Sequence, residues 1–254
     1  VLSEYSDMSL LGAVAFYNAG KLVKQIYNPA SEEMLRKLYL KEISRRDPLV
    51  GFYLLKNPLS EADPMSKVIS DAHKVMRRMS QQDYLKMLEG FFQNLSEKQR
   101  SEISKLKISN DNIRSIPDSI GQLKNLDTLD LSCCRRLTTL PGSIGQLKNL
   151  QKLNLSGCRS LISLPDSIGQ LANLPRLNLS DCRSLTTLPD SIGDLKNLQT
   201  LVLSFCRSLT SLPGTIGQLA NLLRLNLCDC WSLTTDRKST RLNSSHRCIS
   251  YAVF

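Results

Sequence analysis

Signals of catalysis, metal binding and membrane insertion are scarce in this sequence of 254 residues. It has no GxxxxGK[ST] phosphate loop, because AFYNAGKL lacks the first glycine and the hydroxyl residue, and it has no HExxH motif, nucleophile elbow or kinase signature. Only two histidines occur, and His73 lies in the helix-like segment DAHKVMRRM, where a structural or surface role is expected. The sequence therefore predicts no enzymatic activity, no cofactor and no metal site.

Long hydrophobic runs and strongly charged segments are also lacking. The apolar run SLLGAVAFYNAG is far shorter than the roughly 20 residues of a membrane span, and no positively charged leader precedes it. The net charge of +10 is spread along the chain, so no segment is basic enough to predict a nucleic-acid partner. With 41% hydrophobic residues, the chain is expected to be soluble and globular, with no membrane span.

An internal repeat of 24 residues dominates the second half of the chain. Its shared pattern is LxxLxLSxCRSLTxLPxSIGxLxN. The full copies are Leu126–Asn149, Leu150–Asn173, Leu174–Asn197 and Leu198–Asn221; a shorter copy, Ile103–Asn125, precedes them, and a copy that begins at Leu222 breaks off after Thr235. So many near-identical copies exclude a chance motif.

Each part of the pattern predicts a local structure. The LxL core alternates with the period of two that a short strand with one buried face requires. The proline that follows, as at Pro165, cannot donate to a ladder and turns the chain. The SIGxLxN segment is too short for a full helix and fits a single helical or 3₁₀ turn. One such unit cannot bury its own apolar face, so neighbouring units must stack.

These residues resemble leucine-rich repeats, and the resemblance covers residues 103–235. The variant LNLSGCRSLISLPDSIGQLANL is most similar to the repeats of plant intracellular disease-resistance receptors, although the nucleotide-binding module of such receptors is missing from this sequence. The resemblance implies an α/β fold: a leucine-rich-repeat solenoid with a parallel β-sheet on its concave face and short helical or 3₁₀ turns on its convex face. It also implies that the concave face binds other proteins, or occasionally small ligands.

One cysteine recurs in each repeat from Leu126 onward, at a position that this family fills with Asn or Cys. The column consists of Cys134, Cys158, Cys182, Cys206 and Cys230. A straight column does not offer the convergent ligands of a zinc site, and no CxxC pair occurs, so we expect small buried thiols with a structural role rather than a metal site or disulfides. Free buried thiols favour a reducing compartment, which predicts a cytoplasmic location.

Polar columns are expected to face solvent on the concave side of the sheet. We predict that a partner protein binds there, because the columns include exposed aromatic side chains beside arginine, a composition favoured at binding hot spots. The predicted partner-binding residues are Lys152, Asn154, Arg176, Asn178, Thr200, Val202, Phe205, Arg224, Asn226 and Trp231. The alternative is that these positions only tolerate variety on a solvated sheet.

An arginine follows the cysteine in four of the repeats, and Trp231 takes this place in the next one. The column consists of Arg135, Arg159, Arg183 and Arg207. Guanidinium groups in register are able to hold an acidic peptide or a phosphate group, and their mutual repulsion favours an anion or nearby carboxylates. Copying of one repeat unit would produce the same ladder without any binding function.

Residues 1–102 change to helical spacing and are predicted to form an all-α N-terminal domain. Helices are expected at Met8–Tyr27, Ser31–Arg45, Pro64–Met79, Ser80–Asn94 and Ser96–Leu106. Capping signals support this prediction, for example the capping box SEKQ at Ser96–Gln99. We expect the last helix to dock on the first repeat and to cover the open end of the solenoid core.

The tail, residues 236–254, abandons the repeat in mid-unit. Its segments DRKSTRLNSSH and ISYAVF resemble the translation of a standard short-read sequencing adapter, with a gap between them that fits an index. We expect this tail to be an adapter-derived artefact that is disordered, and the natural protein to carry further repeats.

Two classes of function remain open from the sequence. The repeats and the lack of catalytic motifs favour a non-enzymatic module that recognises a protein partner on its concave face, in immune or signal recognition. The rival is the recognition arm of a larger enzyme, such as a kinase or ubiquitin ligase, whose catalytic domain lies outside this chain. The first residue, Val1, and the truncated last repeat favour this rival. The oligomeric state is left open.

Overall fold

The computed structural model of this chain describes residues 74–233 and 250–252. Residues 74–78 are helical, and two helices follow, α1 (Gln81–Asn94) and α2 (Glu97–Glu102). The predicted helix Ser80–Asn94 is therefore present as α1. The predicted helices Met8–Tyr27 and Ser31–Arg45, and most of Pro64–Met79, lie outside the described residues.

Side-chain hydrogen bonds mark the starts of both helices, as the sequence signals predict. Ser80 Oγ accepts a hydrogen bond from the backbone N–H of Asp83 at 3.2 Å, where α1 begins. Ser96 and Gln99 form a capping box at the start of α2. These bonds satisfy backbone N–H groups that have no partner inside the helix.

The predicted helix Ser96–Leu106 is wrong at its C-terminal end. The helix α2 ends at Glu102, and Ile103 already has extended backbone angles (φ −80°, ψ 102°). Leu106 lies instead in the first strand, where its side chain is buried. Pairing with the next repeat and burial of this leucine outweigh the helical propensity of the segment, as tertiary contacts often do.

The apolar face of α1 packs against the first repeat. Tyr84, Leu88, Phe91 and Phe92 are buried, at the spacing that places them on one face of a helix. The hydroxyl oxygen of Tyr84 accepts a hydrogen bond from the backbone N–H of Ser109 at 3.3 Å. The helix α2 has no buried residues. The helix that buries its side chains against the first repeat is therefore α1. The last helix, α2, which is predicted to dock there, contacts this repeat through the backbone oxygen of Ser101, which accepts from Asn125 Nδ2 at 3.0 Å.

The repeats form a single sheet whose strands lie in sequence order. The strands are β1 (Lys105–Lys107), β2 (Thr128–Asp130), β3 (Lys152–Asn154), β4 (Arg176–Asn178), β5 (Thr200–Val202), β6 (Arg224–Asn226) and β7 (Ser250–Ala252). Strands β1 to β6 are parallel, and the register never slips, so that Leu129 lies opposite Leu153 and Leu153 opposite Leu177. These buried leucines fill the core beneath the sheet.

A short 3₁₀ helix follows the proline of each repeat and forms the opposite side of the core. The five helices are Asp118–Gln122, Gly142–Gln146, Asp166–Gln170, Asp190–Asp194 and Gly214–Gln218. The isoleucine of the first four is fully buried, as at Ile144 and Ile168. The predicted architecture, a parallel sheet with 3₁₀ turns between its strands, is confirmed.

Strand β7 lies in the tail that is expected to be disordered, and it differs from the other strands. It pairs antiparallel with β6, with Tyr251 opposite Leu225. The edge of β6 presents backbone N–H and C=O groups that any extended segment can pair with. Strand β7 therefore does not continue the repeat. The remainder of the tail lies outside the described residues.

Candidate functional site

The six parallel strands present two side chains each to one face of the sheet, which we call the strand face, and bury the leucine between them. Lys152, Arg176 and Arg224 come first in their strands and are exposed, whereas Thr200 is half-buried in the same column. Within residues 74–233, none of these three cations takes part in an ion pair. The structure thus places four of the predicted contact residues in one accessible column.

In three of the strands, the last residue is an asparagine that supports the turn after the strand. In Asn154, Asn178 and Asn226, the side-chain oxygen Oδ1 accepts a hydrogen bond from the backbone N–H two residues later, at 3.0–3.2 Å. Val202 interrupts this column, because it has no acceptor. All four side chains are half-buried. The amide groups that the sequence analysis assigns to a partner are therefore partly occupied within the chain.

The cysteine column lies directly behind the ends of the strands. Each thiol donates a hydrogen bond to a backbone carbonyl of the preceding repeat, at 3.0–3.3 Å from Sγ to O. The donors are Cys134, Cys158, Cys182, Cys206 and Cys230, and the acceptors, in the same order, are Ile108, Leu131, Leu155, Leu179 and Leu203. All five thiols are free. Each one satisfies a carbonyl group at the end of a strand, where the ladder stops.

The same position in the first repeat holds Asn110, which the cysteine pattern does not predict. Its side chain is fully buried, and Nδ2 donates to the backbone oxygens of Met76 (2.6 Å) and Met79 (3.3 Å). The column thus extends into the helical segment below the first repeat. Alignment of Ser109 and Asn110 with Ser132 and its neighbours would have revealed it, but this copy of the repeat is one residue shorter.

Burial keeps the cysteine column protonated. It raises the pKa of Cys134 and of Cys206 to about 12, and it raises the pKa of Cys158, Cys182 and Cys230 in the same direction. The thiolate is the form that binds metals and attacks electrophiles. No group of His, Cys, Asp or Glu that could hold a metal ion occurs among the described residues. The column is therefore suited to stacking the repeats rather than to chemistry.

The arginine column lies in the turns that follow the strands. Asp181 pairs with the two arginines in the middle of the column, so these differ from the arginines at its ends. The carboxylate of Asp181 accepts from Arg159 Nε at 2.9 Å and from Arg183 Nε at 2.6 Å. Burial raises the pKa of this carboxyl, but the hydrogen bonds from Arg183 and Arg159 outweigh it, and the pKa lies below its usual value. Arg135 is exposed and has no ion pair within residues 74–233. The four arginines do not form one uniform anion site.

The two predicted aromatic contacts lie in this turn as well, not on the strand face. Phe205 directly precedes its cysteine and has positive φ (62°), and Trp231 directly follows the last cysteine of the column. They are 43% and 72% exposed. The guanidinium of Arg207 lies 4.6 Å from the centre of the Trp231 ring, within cation–π distance. The aromatic residues therefore belong with the arginine column.

A polar groove of about 550 Å³ runs along the opposite ends of the strands. Its lining includes asparagines whose Nδ2 atoms each donate to a backbone oxygen of the preceding unit, at 2.8–3.0 Å; for Asn125 this unit is helix α2, and for the others it is the previous repeat. The donors that line the groove are Asn125, Asn149, Asn173 and Asn197. These bonds connect each repeat to the unit before it and use one of the two N–H donors of each amide.

Family models match most of the repeat region. A model for a leucine-rich repeat region matches residues 67–185, and a model for a single leucine-rich repeat matches residues 197–219. No curated protein matches this sequence. No helix in the described part of the chain is both long and apolar enough to cross a membrane.

Several solved structures are similar to this chain. The plant peptide hormone receptor RGFR1 in complex with RGF2 is 34% identical, with a TM-score of 0.37, over 49% of this chain and 24% of the receptor. A plant ice-binding protein is 32% identical (TM-score 0.35; 42% of this chain and 34% of that one). The leucine-rich repeat domain of the type III effector XopL is 21% identical (TM-score 0.34; 77% and 94%).

The residues that the family models match are the residues that form the repeats in the structure. The family models fall on the residues that form strands β1 to β5 and the turns between them. The leucines that define the repeat are the residues that fill the core. The sheet, the cysteine column and the 3₁₀ helices of this chain are therefore those of a leucine-rich-repeat solenoid.

Proposed function

We propose that this chain is a non-enzymatic module that recognises a protein partner through its strand face. The exposed cationic column of Lys152, Arg176 and Arg224 supports the proposal most directly. Leucine-rich repeats commonly serve as protein-interaction modules, and a column of unpaired cations on a sheet offers one sign of charge to a partner. Complementary charge gives such an interface its specificity and a fast association rate.

The backbone beneath this column is held rigidly, which favours binding. Strands β2 to β5 are paired on both sides in constant register, and the turns are fixed by the cysteine and asparagine bonds. A surface that is ordered before it binds loses less conformational entropy on association. The strand face therefore meets the physical requirement for a recognition surface without further ordering.

We further propose a role in immune or signal recognition in the cytoplasm. The repeat variant LNLSGCRSLISLPDSIGQLANL supports the role through its resemblance to plant disease-resistance receptors. The five free thiols support the location, because buried thiols persist in reducing compartments. Localisation of a fluorescently tagged chain in plant cells tests this part of the proposal, and accumulation of the tagged chain outside the cell would contradict it.

Binding to an array of 12-residue peptides of varied sequence tests the recognition function. We expect the chain to select a subset of peptides, and the triple variant Lys152→Glu, Arg176→Glu, Arg224→Glu to lose most of them. A matched control, Lys86→Glu, Lys98→Glu, Arg114→Glu, makes the same change in net charge at exposed positions outside the strand face. Equal loss in the two triple variants would contradict the assignment to the strand face, and no selection by the wild type would contradict the function.

A further inference from the structure

The turns that follow strands β2 to β6 form a continuous surface, which we call the rim. It consists of the residue before each column cysteine, the residue after it, and Arg136. The backbone of the rim is fixed between repeats, because the N–H of the residue before the cysteine donates to an oxygen of the next repeat at 2.7–2.8 Å. Cys133, Gly157, Asp181 and Phe205 make this bond. The rim is therefore ordered before any partner binds.

The arginines of the rim that lack a carboxylate partner within residues 74–233 lie at two separate positions. Asp181 holds both Arg159 and Arg183 in the middle of the column. At one end, Arg135 and Arg136 are exposed and make no ion pair within residues 74–233. At the other end, the exposed Arg207 lies over the ring of Trp231 and likewise has no carboxylate partner within that range. Two cationic positions without a carboxylate partner in that range thus flank a centre in which one carboxylate binds two arginines.

An apolar anchor site lies beside the second of these positions. Trp231 is 72% exposed, and its Nε1 donates to Asp229 Oδ1 at 3.2 Å, which orients the ring. Phe205 is 43% exposed although its backbone is left-handed, a conformation that is strained for a bulky residue. Gly157 and Asp181, types that tolerate this conformation, occupy the same position in neighbouring repeats. An exposed aromatic residue held in a strained conformation is a feature of binding surfaces.

We propose that the rim binds an extended acidic segment of a partner protein, in addition to the strand face; this inference rests on the proposed function. One carboxylate of the segment pairs with Arg135 and Arg136, and a second pairs with Arg207. A large apolar side chain that follows the second acid contacts Phe205 and Trp231. The middle of the segment passes over Asp181 and carries no acid, because the arginines there are already paired.

The geometry sets the spacing of the two acids. Arg135 and Arg207 are three repeats apart, and neighbouring strands lie about 4.8 Å apart, so the two cationic positions are separated by about 14 Å. An extended chain rises about 3.3 Å per residue, so the acids are about four residues apart. The expected motif is an acid, three residues that are not acidic, a second acid and then a large apolar residue.

Trp231 allows a direct test, because it is the only tryptophan in the sequence. The probe is a synthetic 12-residue Ser/Gly peptide with two glutamates four positions apart and a phenylalanine two residues after the second. Titration of this peptide into the full chain is expected to change the emission of Trp231, with an affinity that falls as salt is added. A peptide with both glutamates replaced by glutamine, and one with the two glutamates adjacent, are expected to bind at least about tenfold more weakly, a factor that corresponds to the loss of one charged pair.

Variants of the chain test the residues by calorimetry with the same peptide. Arg207→Glu, and Arg135→Glu with Arg136→Glu, are expected to weaken binding about tenfold or more, as for loss of a charged pair. The control Lys98→Glu makes the same charge change at an exposed position outside the rim and the strand face, and it is expected to leave the affinity within about twofold, since it removes no contact. Asp181→Asn releases two arginines, so the peptide with adjacent glutamates is expected to bind this variant more tightly. A merely structural role of Asp181 would not produce that gain.

Other results of these experiments would contradict the rim proposal or both proposals. Equal binding of the peptides with separated and adjacent glutamates, or equal loss in Arg207→Glu and Lys98→Glu, would overturn the rim proposal. If the peptide array selects sequences that lack paired acids and that are unaffected by Arg207→Glu, the rim proposal fails while recognition by the strand face stands. If neither the array nor the probe peptide is bound, both proposals fail.

Discussion

Gly145 and Gly217 occupy the same position in two of the 3₁₀ helices, but only one of them touches the next repeat. A Cβ atom at Gly145 would lie 2.6 Å from the backbone oxygen of Ser167, whereas a Cβ atom at Gly217 would meet nothing within 4 Å. We expect Gly145→Ala to lower the free energy of unfolding by about 1–3 kcal/mol, the usual cost of overpacking. Gly217→Ala is expected to change it by less than about 0.5 kcal/mol.

Urea denaturation followed by circular dichroism measures both glycine variants. Because the two substitutions are chemically identical, the difference between them isolates the contact with the following repeat. Equal destabilisation by Gly145→Ala and Gly217→Ala would show that the spacing between the 3₁₀ helices is not the cause.

Glycine is required at position 157 because of the backbone conformation there, and not because a larger side chain would lack space. Gly157 has φ of 75°, and its nearest neighbour atoms, in Cys133, lie 3.5 Å from a hypothetical Cβ, which is an ordinary contact. We expect Gly157→Ala to lower the free energy of unfolding by about 1–2 kcal/mol, because alanine is strained in the left-handed region. Gly157→Asp is expected to cost less, since Asp181 and Asp229 adopt this conformation at the equivalent positions. Thermal unfolding of the two variants gives the order, and a larger cost for aspartate would contradict the explanation.

The cysteine column connects its residues into one element, and its protonation should set the alkaline limit of stability. A thiol in the unfolded chain titrates near pH 9.0, whereas Cys134 and Cys206 titrate at about 12 in the folded chain. Between these values the unfolded chain has lost protons that the folded chain retains. The free energy of unfolding should therefore fall as pH rises above 9, by about 1.4 kcal/mol per pH unit for each such thiol. Below pH 9 this contribution is fully present and constant.

Urea unfolding at pH values between about 8 and 11 measures this effect, because this range begins below the pKa of a thiol in the unfolded chain. The double variant Cys134→Ala, Cys206→Ala is the control, because lysine and tyrosine titrate in the same range in both proteins. The variant is expected to be less stable at neutral pH but to lose stability less steeply as pH rises. Parallel pH profiles for the two proteins would contradict a role for buried thiols.

The elements of the repeat are predictable from the sequence because each depends on a local pattern. Alternating leucines give the strands, the proline gives the start of the 3₁₀ helix, and stacking gives the parallel sheet. The positions of the aromatic contacts are not predictable in this way. Phe205 and Trp231 lie beside the cysteine column in sequence, and only the left-handed backbone before each cysteine carries them off the strand face.

Pairing between repeats was also beyond the sequence pattern. Asp181 pairs with Arg183 two residues later and with Arg159 in the preceding repeat, and both bonds depend on the conformation of the turn. The end of α2 at Glu102 follows the same rule, since strand pairing overrides a continuous helical pattern. Local periodicity predicts the elements, whereas contacts between neighbouring repeats decide which side chains remain available to a partner.

At the scale of the whole solenoid, each repeat depends only on the repeats beside it. Strand β3 pairs with β2 and β4, and each thiol of the cysteine column donates to a carbonyl of the preceding repeat. The stability of such an array is approximately a sum of repeat and interface contributions. The chain should therefore tolerate the loss of one whole repeat but not of part of one.

Deletion of Leu150–Asn173 tests this property. Leu174 would then follow Asn149, β4 would pair with β2, and the thiol of Cys182 would meet the carbonyl of Leu131 in place of that of Leu155. We expect a folded protein whose urea m-value is lower by roughly 10–20%, because the m-value scales with the surface exposed on unfolding. Deletion of residues 150–161 alone is the control, since it leaves a course with a 3₁₀ helix but no strand and should abolish cooperative unfolding. If both deletions fold equally well, or neither does, the solenoid is not an array of interchangeable units, and the register of its columns would have to be set by contacts longer than one repeat.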